Sequence, residues 1–129
     1  MKSLKSAFLF ISITSFALLF SSCDRYKTMQ LKGQWKAVSV VKNNQAFEVP
    51  LEEIKLNFTD KAYSFEGTLQ YREAGHYSIS TPFLYTIDTL DSDSEQKAVQ
   101  ILQLTNDTLE ILMDQGGEEM ILKMVKEEL

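Results

Sequence analysis

The chain has 129 residues, of which 13 are basic and 18 acidic, with one histidine and one cysteine. This length suits one domain with a modest core. A single cysteine excludes an internal disulfide and a thiolate metal cluster, and the net charge of −5 argues against a nucleic-acid partner, since no basic stripe is present to neutralise phosphates.

Residues 1–22 have the composition of a secretory leader. Lys2 and Lys5 supply a positive N-terminal region, and residues 7–20 form an almost purely apolar run. This run is shorter than the stretch of about 20 residues that a membrane-spanning helix requires, so the pattern predicts a signal peptide over residues 1–22. Without this leader the chain keeps 107 residues, with 11 basic and 18 acidic side chains and a formal charge of −7.

The only cysteine follows this leader directly. The segment Phe20-Ser21-Ser22-Cys23 resembles a bacterial lipobox, in which the cysteine thiol is diacylated and becomes the new N-terminus after cleavage. The resemblance predicts a lipidated Cys23 and an anchor in the bacterial cell envelope, in the outer membrane in preference to the inner, with the domain in the periplasm or at the cell surface. The alternative is an ordinary signal peptide followed by a cysteine that occurs by chance.

Short strands separated by turn signals fill the rest of the chain. Residues 23–32 are predicted to form a polar tether, and residues 33–129 are predicted to form the domain. Apolar, β-branched or alternating segments predict strands at 33–41, 45–49, 54–58, 62–66, 69–75, 76–80, 83–87, 98–104, 108–113 and 119–126. Asn43-Asn44 and the glycine pair at 116–117 predict turns, and the acidic segment 88–96 predicts an exposed loop.

The number and spacing of these strands predict the fold class. About eight to ten short strands without a long helix indicate an antiparallel sandwich or barrel. Closing about eight strands into a barrel removes exposed edges and leaves an interior filled by side chains or holding one small ligand. We expect residues 119–126 to pair with the first strand, and Gly75 to separate two strands. The prediction is an all-β protein with a small antiparallel up-and-down β-barrel.

Four groups of residues strengthen the barrel prediction. They are Leu31-x-Gly33-x-Trp35, Phe58-x-Asp60-x-x-Tyr63-x-Phe65-x-Gly67, Gly75-x-Tyr77-x-Ile79 and Leu104-x-x-Asp107-Thr108-Leu109-x-Ile111. Together they resemble the lipocalin-like domain of small lipoproteins from Gram-negative bacteria, a calycin-type barrel. The resemblance implies that Gly33 lets the backbone turn tightly or pass close to another segment, and that Trp35 plugs the closed end. It implies no catalytic residue and no particular ligand.

Eight aromatic residues are predicted to lie on the inward faces of successive strands. They are Trp35, Phe58, Tyr63, Phe65, Tyr71, Tyr77, Phe83 and Tyr85. On one interpretation they line a lumen for a lipid, a sterol-like molecule or another small apolar ligand, with the tyrosine hydroxyls orienting it. On the other they fill the core, because a small domain needs the area of about 150–250 Å² that each aromatic side chain buries.

The residue types that carry catalysis or bind metals are sparse. His76 is the only histidine and has no second ligand at metal-binding spacing. No Gly-x-Ser-x-Gly motif is present, and adjacent carboxylates such as Glu52-Glu53 point to opposite faces of a strand. The acidic segment 88–96 offers oxygen ligands but lacks the spacing of a calcium-binding EF-hand loop. The sequence therefore predicts no catalytic residue, no metal site and no cofactor.

Two functions from different classes follow. The first is that of a non-catalytic, membrane-anchored extracytoplasmic lipoprotein whose barrel binds a small apolar ligand. The alternative is a protein-interaction module, such as an inhibitor of a host lysozyme or protease or an accessory subunit of an envelope complex. The acidic charge suits a cationic partner, which would contact Asp91, Asp93 and Glu95. An enzyme is a third and weaker possibility, because the single histidine and the absent nucleophile motif argue against it.

Overall fold

The computed structural model describes residues 25–115 and 117–127. The predicted signal peptide, residues 1–22, and the predicted lipidation site, Cys23, lie outside the described residues. The strands are β1 Gly33–Lys42, β2 Gln45–Ala46, β3 Lys55–Phe58, β4 Ala62–Glu66, β5 Arg72–Ser80, β6 Phe83–Asp88, β7 Lys97–Leu104, β8 Thr108–Gln115 and β9 Glu118–Lys126. Short 3-10 helices span Leu51–Glu53 and Thr68–Gln70, and residues 25–31 are helical.

The strands form one antiparallel sheet that closes on itself. Each strand from β3 to β9 pairs with its neighbour in the chain, and β9 pairs back along β1 from Trp35 opposite Lys126 to Lys42 opposite Met120. The first residues of β1 also pair with β3, which leaves β2 as a short addition at the far end of β1. The result is a closed up-and-down barrel of eight strands, so the predicted all-β fold class and the pairing of the last strand with the first are confirmed.

Two β-bulges decide which side chains face the barrel interior. In β1 the register shifts between Ala37 and Ser39, so that Ala37 and Val40 are both buried although regular alternation would place them on opposite faces. In β7 the register shifts between Ile101 and Gln103. Regular alternation would place Leu102 and Leu104 on the same face, yet Leu102 is exposed and Leu104 is buried. An extra residue in one strand breaks the period of two and re-aims the side chains that follow it.

One end of the barrel is closed by the segment before β1. Residues 25–31 fall within the stretch 23–32 that is predicted to be a polar tether; they are helical, and Leu31 at their end is completely buried. The indole Nε1 of Trp35 donates a hydrogen bond to the carbonyl oxygen of Leu31 at 2.8 Å. Gly33 joins the helical segment to β1 with a φ of +130°, a conformation that residues with a Cβ rarely adopt. Glycine at this position lets the chain turn from the helical cover into the first strand.

The core extends from this closed end through the barrel. Every long strand contributes at least one buried apolar side chain, and the buried set is Leu31, Trp35, Ala37, Val40, Ile54, Leu56, Phe58, Tyr63, Tyr77, Leu84, Leu104, Leu109, Ile111, Leu122 and Met124. Phe58 packs edge-on against Tyr77, with ring centroids 5.0 Å apart. Burying each large apolar side chain stabilises the fold by about 1.5–3 kcal/mol, so this cluster supplies much of the driving force for folding.

Gly75 does not separate two strands. β5 runs unbroken over Arg72–Ser80, so the expected interruption is wrong. A Cβ at position 75 would collide with the carbonyl oxygen of Ile87, which means that glycine permits a close approach of the β5 and β6 backbones. The break lies earlier, because Leu69 and Gln70 have φ values of 57° and 60° inside a 3-10 turn where a strand is predicted.

Candidate functional site

The barrel end opposite Leu31 carries the β2–β3, β4–β5, β6–β7 and β8–β9 connections, and we call it the open end. A depression of about 630 Å³ lies there between the β2–β3 and β4–β5 connections, and its walls are Val49, Pro50, Glu53, Glu66, Gly67, Thr68, Leu69, Gln70, Tyr71 and Arg72. Leu69 is 95% exposed and has a positive φ. Backbone conformations of this kind cost free energy for a bulky residue and cluster at ligand clamps and other functional sites.

A buried carboxylate adjoins this depression. Glu73, on β5, is only 9% exposed. The Tyr63 hydroxyl donates to Glu73 Oε1 at 2.5 Å, and the Tyr71 hydroxyl donates to Glu73 Oε2 at 2.9 Å. Lys97 Nζ lies 3.5 Å from the same Oε2. We call these four side chains the Glu73 cluster. Tyr71 belongs to both features, because its side chain also lines the depression.

The phase of the strands brings the Glu73 cluster together. Glu73 lies four residues before the buried Tyr77 on β5, and alternation therefore turns both side chains inward. Tyr63 is buried on the neighbouring strand β4. Lys97 begins β7 opposite Thr86, which in turn lies opposite Tyr77. Burying a carboxylate without partners is costly, and the two hydroxyl donors and the Lys97 ammonium offset that cost.

Burial and the hydrogen bonds to Glu73 both favour the protonated form of the two tyrosines. Burial, and then the hydrogen bond to Glu73, raise the pKa of Tyr63 above the usual value of 10.0. The hydrogen bond to Glu73, followed by burial, raises the pKa of Tyr71 to about 12. The negative charges of Asp88 and Asp91 act in the same direction on Tyr71, because they disfavour a tyrosinate. Both hydroxyls therefore stay protonated and donate to Glu73 at neutral pH.

Asp88 places a second carboxylate at the open end. Its Oδ1 accepts hydrogen bonds from the amide of Leu90 at 3.0 Å and from the amide of Ala74 at 3.3 Å. The amide of Thr89 donates to the carbonyl oxygen of Ala74 at 2.8 Å. These bonds tie the start of the β6–β7 connection to β5, so the negative charge of Asp88 is held close to the Glu73 cluster.

The eight aromatic residues predicted to line the interior occupy three environments. The core holds Trp35, Phe58, Tyr63 and Tyr77, with Phe65 packed partly buried against them. Tyr71 is at the open end, with its ring edge-on to Phe65 at 6.1 Å. Phe83 and Tyr85 lie on the outer face of β6, because Leu84 between them is the buried residue. The inward placement predicted for these two is therefore wrong.

Sequence reasoning did not single out Glu73 or Lys97. A signal for Glu73 was present, because it shares its strand phase with the inward-facing Tyr77 and Ile79, and a charge in such a position is unusual. No comparable signal marks Lys97, which reaches Glu73 only because β5, β6 and β7 are consecutive neighbours in the sheet. Tertiary structure alone shows that the two side chains meet.

The described structure offers few other candidate sites. Across residues 25–115 and 117–127, no three or more His, Cys, Asp or Glu side chains come together in a group that could hold a metal ion. His76 is exposed on the outer face of β5, and Asp91, Asp93 and Glu95 are exposed in the β6–β7 connection. No helix within those same residues has the length and apolarity that crossing a membrane requires. The open end therefore remains the candidate site.

Comparison with known proteins supports the fold. No protein-family model matches the sequence, and no curated protein matches it. A lipocalin-like protein from Bacteroides uniformis superposes with a TM-score of 0.56 at 15% identity, over 73% of this chain and 97% of that one. An uncharacterised protein from Bacteroides eggerthii superposes with a TM-score of 0.53 at 11% identity, over 75% of this chain and 99% of that one. At these identities the likeness shows a shared lipocalin-like barrel fold.

Proposed function

We propose that this chain is a membrane-anchored extracytoplasmic lipoprotein of the bacterial cell envelope whose lipocalin-like barrel binds a small, largely apolar molecule without catalysis. The observation that carries the binding proposal is the depression at the open end, which places apolar side chains beside the polar groups of the Glu73 cluster. Barrels of this kind commonly receive ligands at their mouths. The lipobox resemblance at Cys23 supports the proposed anchor and location.

The dimensions of the depression suit a small ligand. Its volume of about 630 Å³ falls within the range of about 300–1,000 Å³ that is usual for small-molecule sites. Val49, Pro50 and Leu69 supply apolar walls, and Tyr71 adds an aromatic ring whose hydroxyl is already oriented by Glu73. The large aromatic side chains deeper in the barrel are packed in the core. We therefore place the ligand at the barrel mouth.

A dye-binding titration tests this proposal. We expect saturable, one-to-one uptake of an environment-sensitive apolar dye, reversed by a fatty acid or a sterol. Leu69→Asp puts a charge on the wall of the depression without disturbing the core, because Leu69 is almost fully exposed, and it should weaken uptake. Leu102→Asp, a matched change on the outer face of β7, should leave uptake unchanged. Equal uptake by Leu69→Asp and the wild type would contradict a site in the depression.

The proposed anchor has its own test. We expect Cys23→Ser to leave the protein unprocessed or to release it from the membrane fraction, because serine has no thiol to acylate. Fractionation and the mass of the mature N-terminus measure this directly. A Cys23→Ser protein that is correctly cleaved and still membrane-associated would overturn the lipoprotein proposal while leaving the ligand-binding proposal in place.

A second candidate is a protein-interaction module for a cationic partner. Two observations favour it: Asp91, Asp93 and Glu95 are exposed, and Phe83 and Ile87 are exposed on the outer face of the adjoining strand β6. Lysozyme serves as a cationic probe. We expect salt-sensitive binding that is lost when Asp91, Asp93 and Glu95 are all replaced by serine. Binding that survives this triple replacement would reject the loop as the contact.

A further inference from the structure

The partners of Glu73 differ in how firmly they are held. Tyr63 is buried in the core, whereas Tyr71 is 50% exposed and the Lys97 side chain is 57% exposed. The ion pair between Lys97 and Glu73 is long, at 3.5 Å, and ion pairs with an exposed partner contribute little to stability. Lys97 can therefore swing into solvent without disturbing the core, and this movement would uncover one side of a preformed, buried carboxylate.

The charges around Glu73 are predominantly negative. Asp88 and Asp91 lie close enough to raise the pKa of Tyr71, and Glu53 and Glu66 stand in the walls of the depression. Arg72 on the wall and Lys97 in the cluster oppose them only in part. A site with low-dielectric walls and one prevailing sign of charge attracts ligands of the opposite sign.

We propose that the open end selects amphiphiles with a cationic ammonium head, and that Glu73 receives that head in place of Lys97. This inference rests on the proposed ligand-binding function and names its ligand class. The ammonium group donates hydrogen bonds to the Glu73 carboxylate, which accepts up to about four. The apolar body lies against Val49, Pro50 and Leu69. The ring of Tyr71, which lines the depression, offers an additional cation–π contact to the head.

The same contacts disfavour other head groups. An anionic head would approach Glu73 and Asp88 with like charge, which costs free energy at short range. A neutral hydroxyl head would donate one hydrogen bond to Glu73 but would gain nothing from the surrounding negative charge. The expected order of affinity for one chain length is therefore amine, alcohol, carboxylate.

Calorimetric titration with octylamine, octanol and octanoate tests this order. The full chain is held in nanodiscs of zwitterionic lipid, and empty nanodiscs supply the blank for partitioning into lipid. We expect octylamine to bind about tenfold or more tightly than octanoate, as is typical when a buried charge meets its complement. Glu73→Gln keeps the size and the hydrogen bond to Tyr63 but removes the charge, and it should abolish this preference.

Two further variants sharpen the test. Lys97→Met removes the competing cation from an exposed position, so it should tighten octylamine binding more than octanol binding. Glu110→Gln, on β8 away from the depression, is the matched control for Glu73→Gln and should preserve the preference for octylamine. The circular dichroism spectrum and the unfolding temperature report whether each variant is folded.

The outcomes separate the inference from the proposed function. If octanol binds but octanoate matches octylamine, or if the preference for octylamine survives Glu73→Gln, the depression is a ligand site and the ammonium assignment is wrong. If Lys97→Met weakens octylamine binding, Lys97 supports the site and does not compete for it, which also overturns the assignment. If none of the three amphiphiles binds, the proposed function fails together with the inference.

Discussion

The two ends of this barrel handle buried polar groups in opposite ways. At the closed end, side chains bond to the backbone: Trp35 Nε1 donates to the Leu31 carbonyl oxygen at 2.8 Å, and Lys126 Nζ donates to the Gln30 carbonyl oxygen at 2.7 Å. The Lys126 ammonium also lies 4.9 Å from the centre of the Trp35 ring. At the open end, the bonds run from side chain to side chain around Glu73.

This difference separates a structural end from the proposed binding end. Backbone carbonyls move only if the fold moves, so the contacts of Trp35 and Lys126 lock the closed end in one arrangement. Two of the partners of Glu73, Tyr71 and Lys97, are half-exposed side chains, which can change partners while the fold stays intact. Substitutions at the closed end should therefore reduce the free energy of unfolding, and substitutions in the Glu73 cluster should mainly alter binding.

The largest expected effect comes from Trp35→Ala. Removing this completely buried side chain leaves a cavity and a carbonyl oxygen without its donor, and we expect a loss of about 3–5 kcal/mol in the free energy of unfolding. Urea denaturation followed by far-ultraviolet circular dichroism measures the loss, since the variant has no tryptophan emission. Tyr85→Ala, on the outer face of β6, should cost clearly less. Comparable losses for the two variants would contradict the assignment of Trp35 to the structural end.

Gly75→Ala should have the next largest effect. The new Cβ would collide with the carbonyl oxygen of Ile87 and would lie 2.9 Å from the carbonyl carbon, and forcing backbones apart in this way costs about 1–3 kcal/mol. Because the clash lies between β5 and β6 near the Glu73 cluster, the emission of Trp35 in the folded state should not change.

Gly67→Ala provides the control for this prediction. Its Cβ would meet only side-chain atoms, the ring of Phe65 at 3.3 Å and that of Tyr71 at 3.5 Å. A side chain at such a distance moves aside more easily than backbone does. We expect a loss below about 1 kcal/mol by the same urea denaturation. If Gly67→Ala and Gly75→Ala lose the same free energy of unfolding, the close approach of the β5 and β6 backbones does not make position 75 more sensitive than position 67.

A smaller loss is expected from Lys126→Met. The change removes the cation over the Trp35 ring and the hydrogen bond to Gln30, and we expect a cost of about 1 kcal/mol. Burial lowers the pKa of Lys126, so part of what the ammonium gains from these contacts is offset by desolvation. Lys36→Met, an exposed position on the neighbouring strand β1, is the control. Thermal unfolding should rank Lys126→Met below both Lys36→Met and the wild type in stability.

The smallest effect is expected from Tyr71→Phe, and it depends on pH. The pKa of Tyr71 is raised from 10.0 to about 12 in the folded protein, so the folded state holds this proton where the unfolded chain releases it. Its contribution to stability is therefore complete below pH 10 and is lost as the pH rises toward 12. The free energy of unfolding of Tyr71→Phe should fall less steeply than that of the wild type over this range. The free energy of unfolding is measured by urea denaturation at each pH. The same dependence on pH in both proteins would contradict the hydrogen bond to Glu73.

Much of the local structure could be predicted from the sequence. Asn43 and Asn44 adopt the positive φ values that their turn-forming character indicates. The alternating segment before Phe58 forms β3, with Leu56 and Phe58 buried. These features depend on a few neighbouring residues, and such short-range preferences are visible in the chain itself.

The phase of several strands could not be predicted in this way. Phe83 and Tyr85 carry the aromatic signal of β6, yet Leu84 is the residue that faces inward. Alternation shows that neighbouring residues face opposite sides but not which side is the interior. The bulges in β1 and β7 change which residues face the interior partway along each strand. For the other strands, closure of the barrel decides which face is the interior.

The period of the strands, the positions of most turns and the closed end marked by Gly33 and Trp35 can be inferred from the chain alone. The inward face of β6, the close approach of Gly75 to β6 and the meeting of Glu73 with Lys97 become visible only in the folded barrel. The physical reason is the range of the interactions. Turns and alternation arise within a few residues, whereas a buried carboxylate and its donors come from strands that become neighbours only when the sheet closes.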